Sequence, residues 1–220
     1  STTLETRPGV PRMWLLVTFA LAEPPAPAPD PAALVKQIEQ RYAGIRTLSA
    51  GFVQTVSSGI YGEDRQTGTL LLERPNRMRW QFDGVDGRLF VADGEWLWMY
   101  AAADRQVVKS PQVEGAGGAD VMLESLAHLS ERFVPTFTPP PPGGTWHLVL
   151  VPREANHPYR RYEVGLSADF TLEQLILVDL QNTVTRLDFR DVSLGASAPA
   201  GAFSFAPPPG VEVLAMGSPP

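Results

Sequence analysis

The residue types that could do chemistry are few and scattered. The three histidines, His128, His147 and His157, fall on a predicted helix, a predicted strand and a loop. No two have the i, i+4 spacing with which a helix grips zinc. The chain has no cysteine, which removes thiolate metal sites, disulfides, a cysteine nucleophile and an N-terminal lipid-modified cysteine. Gly165-Leu166-Ser167-Ala168-Asp169 lacks the last glycine of a nucleophile elbow. Gly115-Ala116-Gly117-Gly118 lacks the Lys-Ser/Thr of a phosphate loop and follows no βαβ pattern. Asp120 and Glu124 are spaced one helical turn apart, but a solvated helix face looks the same. The reading is a chain with no catalytic residues, no metal and no cofactor, and therefore not an enzyme.

What stands out instead is a set of apolar faces. In Glu73-Arg74-Pro75-Asn76-Arg77-Met78-Arg79-Trp80-Gln81-Phe82 a turn is followed by strict alternation. Met78, Trp80 and Phe82 point one way and Arg77, Arg79 and Gln81 the other, because strand side chains have a period of two. Phe52 lies on the apolar side of an earlier strand, with Leu48, Ala50, Gln54 and Val56. Trp96, Trp98 and Tyr100 share a face of a later one. Such residues usually pack a core. Met and aromatic walls also suit a flexible apolar ligand, because Met repacks cheaply and aromatics add area. Phe52, Met78, Trp80, Phe82, Trp96 and Trp98 are the candidate wall.

The elements that would hold this wall can be read in order. Asp30-Pro31 has the form of an N-cap followed by proline at the first helical turn. Leu34, Ile38 and Tyr42 make one stripe, and Gly44 is the stop. Strands are predicted from Leu48 to Val56, Gln66 to Glu73, Arg77 to Phe82, Arg88 to Ala92, Glu95 to Ala101 and Arg105 to Ser110. Ser57 to Asp64 is read as a loop, and Asp93-Gly94 marks a hairpin. Asp120 to Phe133 is read as a second helix, with Met122, Leu126, Leu129 and Phe133 on one stripe. Pro139 to Gly144 is a stiff stop. Strands resume at Thr145–Val151, Tyr159–Leu166, Leu172–Leu180 and Thr183–Val192, with Phe203-Ser204-Phe205 as a brief last one. Roughly ten strands and two helices make an α+β domain whose antiparallel sheet curls. Two helices can cover one face only, which leaves a sheet-and-lid cavity.

At 220 residues the chain suits one sizeable domain, and 44% hydrophobic with 19% charged residues is globular rather than disordered. A net charge of -6 argues against nucleic acid as a partner. Arg7 and Arg12, the apolar run Met13 to Ala22 and the small-x-small Ala20-Leu21-Ala22 have the form of a secretory signal peptide. The expected organisation is a signal peptide at 1–22, a Pro/Ala linker at 23–29, one domain at 30–216 and a tail at 217–220.

Four motifs in order resemble one family. Arg74-Pro75-Asn76-x-Met78-x-Trp80 is similar to the R-P-[NG]-x-apolar-x-W segment of the periplasmic outer-membrane lipoprotein carrier protein (LolA) family. Phe90-Val91-Ala92-Asp93-Gly94-Glu95-Trp96-Leu97-Trp98-Met99-Tyr100 resembles its D-G hairpin. Phe52-x-Gln54 resembles its first strand, and Phe203-x-Phe205-x-Pro207-Pro208-x-Gly210-Val211 its C-terminal motif. The resemblance spans about Ala32 to Val213.

The resemblance implies a curved antiparallel sheet forming a half-open, incomplete β-barrel, with a helical lid over a hydrophobic cavity. It implies a monomeric periplasmic carrier of acylated lipoprotein cargo. Its partners would be an inner-membrane ABC exporter and an outer-membrane acceptor lipoprotein. Arg74 would be the lid latch, hydrogen-bonding to the lid. Met78 stands where the family more often has an aromatic that serves handover from the exporter. Two other readings keep the fold: a carrier of another envelope lipid or glycolipid, or an envelope-stress sensor.

Overall fold

The computed structural model describes residues 30–59, 62–85, 87–112, 120–138 and 144–217. The expected signal peptide and linker, the Gly115–Gly118 break and the Pro139–Gly143 part of the stop lie outside the described residues.

Helix α1 (Pro31–Ala43) forms as the sequence predicts. Asp30 caps it, accepting from Ala32 N–H at 3.2 Å, and Leu34, Val35, Ile38 and Tyr42 are its buried stripe. Strand β1 (Thr47–Ser58) pairs residue by residue with β2 (Gly62–Glu73). The stretch read as a loop from Ser57 to Asp64 is therefore largely strand. Backbone pairing carries both strands beyond the apolar stretch, as far as Ser58 and Gly62.

The meander goes on through β3 (Arg77–Phe82), β4 (Arg88–Ala92), β5 (Trp96–Ala101) and β6 (Gln106–Pro111). A second antiparallel run is β7 (Phe133–Thr138), β8 (Trp146–Pro152), β9 (Tyr159–Leu166), β10 (Leu172–Asp179) and β11 (Val184–Leu194). The β1–β11 pairing joins the two runs. A last strand, β12 (Glu212–Ala215), adds in parallel to β6. The result is one 12-stranded sheet in the order β12-β6-β5-β4-β3-β2-β1-β11-β10-β9-β8-β7. The sheet curves but does not close, since β12 and β7 are not paired to each other.

Two further expectations are corrected. The second helix is not continuous. A single π turn (Asp120–Glu124) leads into α2 (Ser125–Ala127), His128 breaks the helix, and α3 (Leu129–Arg132) ends before Phe133 opens β7. The stripe itself is buried as read: Met122, Leu126, Leu129 and Phe133. Two periods overlap at Phe133, which ends the helical stripe and begins the alternation Phe133, Pro135, Phe137. Pro135 fits because β7 is an edge strand, where a missing N–H costs no ladder bond. Phe203-Ser204-Phe205 is not a strand. The last strand is β12, which the sequence pattern does not announce.

The two faces of the sheet differ. The inner face carries the main core, from Leu48, Ala50 and Phe52 through Leu70, Leu72, Met78 and Ala92 to Leu148, Leu166 and Leu187, beneath α1, α2 and α3. Gly68 is required here. The Phe52 ring lies over it so closely that an added Cβ would come within 2.6 Å of the ring and would collide with the Gln81 carbonyl oxygen. No helix among the described residues is long and apolar enough to cross a membrane.

Candidate functional site

The register decides which aromatics meet. Leu70, Trp80, Phe90 and Met99 stand in one cross-strand row, and Phe52, Gly68 and Phe82 in another. Directly paired residues share a face, so these side chains are all on the inner side. Phe52 contacts Trp80 and Phe82 edge-on, each at 5.3 Å between centroids, and Phe82 meets Phe90 at 6.2 Å. Phe52 is fully buried, Met78 is 6% exposed and Phe82 9%. Trp80 and Phe90 are half-buried against the same core. The structure thus brings together four of the six candidate wall residues: Phe52, Met78, Trp80 and Phe82.

Trp96 and Trp98 are on the other side. Met78 pairs with Ala92 and Ala92 with Leu97, so Leu97 is the inner residue of β5 and its neighbours face out. Trp98 shares a row with Arg79, Val91 and Lys109. Lys109 Nζ lies 3.7 Å from the Trp96 ring centroid and 4.7 Å from that of Trp98. Trp98 Nε1 donates to Asp93 Oδ2 at 3.0 Å. Phe205 packs on Trp98 and Tyr100, at 5.7 and 5.9 Å between centroids. Trp96 and Trp98 are therefore not part of an inner wall. Alternation within each strand holds, but it does not carry the face across the Asp93-Gly94 turn.

Arg77 and Arg79 also face out. Arg77 Nη1 pairs with Glu73 Oε1 at 3.1 Å, and Arg79 Nη1 donates to Ala202 O at 3.4 Å.

Arg74 is where β2 gives way to the turn, and its guanidinium gathers two separate elements. Nη1 donates to Tyr42 O at 2.9 Å, Ile45 O at 2.8 Å and Ala43 O at 3.3 Å. Two of these carbonyls belong to the last turn of α1, whose final C=O groups have no intrahelical partner and carry the negative end of the dipole. Nη2 donates to Leu123 O in the π turn at 2.6 Å. Nε lies 2.5 Å from Glu124 Oε1, a charge contact without hydrogen-bond alignment. Leu123 and Glu124 are contacts that sequence reasoning misses. The one available signal is that Glu124 and His128 lie a helical turn apart; His128 Nε2 is 3.7 Å from Glu124 Oε2.

The lid is tied elsewhere to the body. Glu39 Oε1 on α1 accepts from Ser130 N–H and Oγ at 2.8 and 2.7 Å, and Arg153 Nε donates to Ser130 O at 3.1 Å. Tyr42 Oη donates to Phe170 O at 2.8 Å, fixing α1 to the β9–β10 hairpin. Burial pushes the Tyr42 and Tyr162 phenols well above their ordinary range, so both stay neutral.

Between lid and sheet, a cavity of only about 20 Å³ is left, lined by residues including Met122, Leu126, Phe133 and Tyr162. Ligand pockets run to roughly 300–1,000 Å³. The helices lie closed on the sheet here, and that cavity is too small for a chain-like ligand. A larger opening of about 360 Å³ lies among Glu73, Arg77, Asp93 and the loop from Ala198 to Ser204. Its lining mixes those three charged side chains with small and apolar residues such as Pro199 and Phe203.

An open curved sheet with an apolar inner face, closed by short helices tied down at Arg74 and at Ser130, defines a lid-covered half-barrel. The chain belongs to the family described as outer membrane lipoprotein carrier protein LolA, whose sequence profile matches residues 43–206. It is 28% identical over 202 residues to an outer-membrane lipoprotein carrier protein of Chromobacterium violaceum, covering 92% of this chain and 97% of that one. The corresponding protein of Bordetella pertussis is 30% identical over 204 residues, covering 91% and 95%. A crystal structure of an uncharacterized conserved protein from Thermus thermophilus superposes with a TM-score of 0.52 at 16% identity, covering 85% of this chain and 100% of that one. That likeness concerns the fold.

Proposed function

We propose that this chain is a non-catalytic periplasmic carrier that shields the acyl chains of lipoproteins between the inner and the outer membrane. Membership of the carrier family and the latched apolar face support this reading. The single observation that carries it is Arg74 joining α1 to the π turn over the inner wall.

Physical chemistry says why such a device is needed. An acyl chain of about 16 carbons costs on the order of 12 kcal/mol to expose to water, so a triacylated protein does not diffuse free. A carrier must cover the chains yet release them. Charge-assisted hydrogen bonds are worth roughly 1.5–3 kcal/mol each. Those that re-form when the lid closes offset part of the cargo's binding energy, so cargo can pass to a better acceptor. Phe52, Met78, Trp80 and Phe82 are the proposed wall, and Arg74 is the proposed latch.

The same reading has a signal peptide at 1–22 cleaved on export, a linker at 23–29 and one carrier domain from 30 to 216. The proposed partners are an inner-membrane ABC exporter, which loads the carrier, and an outer-membrane acceptor lipoprotein, which unloads it. The carrier works as a monomer. Mass spectrometry of what co-purifies with the exported protein tests this. Acylated lipoproteins are expected. Free glycolipid, or a bound signalling protein with no lipid, would replace the proposal with one of its two competitors.

A further inference from the structure

Trp80 carries an indole Nε1–H that is buried and has no hydrogen-bond acceptor among the described residues. Its ring lies in the inner wall, 5.3 Å from the Phe52 centroid and 6.4 Å from that of Phe82, on which it stacks. A buried donor left unpaired costs roughly 1–3 kcal/mol. A phenylalanine would build the same wall without that cost. Phe52, Phe82 and Phe90, the aromatics around it, offer no polar atom at all. This aromatic cluster therefore contains a single donor, set among groups that cannot satisfy it.

An acyl chain differs from any other alkyl chain by the carbonyl at its root, whether ester or amide. Taken into an apolar wall, that oxygen also needs a partner. We infer that Trp80 Nε1–H is the site that recognises the acyl carbonyl, so that the wall selects acyl chains over plain alkyl chains. The inference rests on the carrier reading and deepens it. In the closed conformation the donor is unsatisfied among the described residues. With the lid raised and a chain in place, the ester or amide oxygen accepts from Nε1. The same bond sets how deep a chain sits, because within the aromatic cluster the carbonyl can meet only this donor.

The test measures binding of four probes by the native protein and by Trp80→Phe. The probes are a synthetic triacylated lipopeptide, its analogue with ester and amide carbonyls replaced by methylenes, a diacyl phospholipid and the dialkyl ether phospholipid. For the native protein the acyl lipopeptide is expected to bind about five- to tenfold tighter than its carbonyl-free analogue, within the worth of one neutral hydrogen bond. In Trp80→Phe that ratio falls to about one, whatever the variant does to the affinity for the carbonyl-free analogue. A native protein that binds both lipopeptides equally overturns the inference and leaves the carrier reading standing. So does a Trp80→Phe variant that still discriminates, which would assign the N–H to the neighbouring ring. Carbonyl discrimination confined to the phospholipid pair upholds recognition of the acyl group and overturns the lipoprotein reading. Binding of none of the probes overturns both. The comparison of probes on the native protein needs no variant to fold.

Discussion

The two faces of β3, β4 and β5 are built from the same kinds of residue and end up covered in different ways. On the inner face stand Met78, Trp80, Phe90, Ala92, Leu97 and Met99. On the outer face stand Arg79, Val91, Trp98 and Tyr100. The outer face is closed by the chain's own C-terminal segment through many dispersed ties. Phe205 packs on it, Arg79 reaches Ala202 O, Arg105 Nη2 donates to Gly210 O at 3.3 Å and β12 pairs with β6 over four residues. The inner face is closed near Arg74 by a few bonds to a π turn, with the lid's other end fixed at Ser130. Aromatic side chains alone therefore do not say how a face is covered; the kind and placing of the ties over them differ between the two faces.

That contrast can be broken or sharpened by substitution. The largest effect is expected at Phe52→Ala, which removes a fully buried ring from the inner wall and should cost about 3–5 kcal/mol in urea unfolding. A much smaller loss would mean that the wall is not part of the folding core. Arg74→Leu should leave acyl-probe binding intact or tighter and slow release to acceptor vesicles roughly 10- to 100-fold, the worth of one or more charge-assisted bonds. If release is unaltered, the latch role is wrong. Trp98→Ala, on the outer face, should cost about 2 kcal/mol of stability because the ring is half-buried, with lipid affinity unchanged. Altered affinity would break the division between faces. Glu124→Gln keeps the Leu123 bond and loses only the charge contact, so release should slow by about fivefold or less.

The smallest effect is on pH. Burial pushes the Asp93 carboxyl up, but hydrogen bonds from Trp96 N–H, Trp98 Nε1 and Glu95 N–H, with Lys109 nearby, outweigh it and hold the group below its ordinary range. A depressed folded pKa gives stability that is present above the unfolded value, about 3.9, and lost as pH falls through the folded one. Asp93→Asn should therefore flatten the acid limb of the unfolding midpoint below about pH 4. Release kinetics at neutral pH should not follow it.

Much of this is legible in the chain. Asp30-Pro31 and the Leu34, Ile38, Tyr42 stripe give α1 because a cap and a period of 3.6 are local signals. Tyr159–Leu166 is a strand to the residue, bounded by a loop and by Ser167, which turns the chain. Met78, Trp80 and Phe82 share a face because period two is also local. The assignment of Arg74 needs the family resemblance, since no spacing reveals that a strand-end arginine meets carbonyls of a helix and a π turn. Trp96 and Trp98 escape a strand-by-strand reading because their side depends on pairing across a turn. Counting from Met78 through Ala92 to Leu97 finds it. β12 has no signal of its own: Glu212–Ala215 is four residues that become strand only because β6 lies alongside.

Arg74 divides its guanidinium unevenly. One nitrogen serves two carbonyls of the last turn of α1 and that of Ile45 just beyond it, and the remaining edge serves the π turn. Under the proposed latch role, a lid that lifts would leave the cation on its α1-side carbonyls, with only one edge passing to water. Opening would then create no bare buried charge, and the contacts that close the lid would stay aimed for its return, as repeated loading and unloading of one molecule requires.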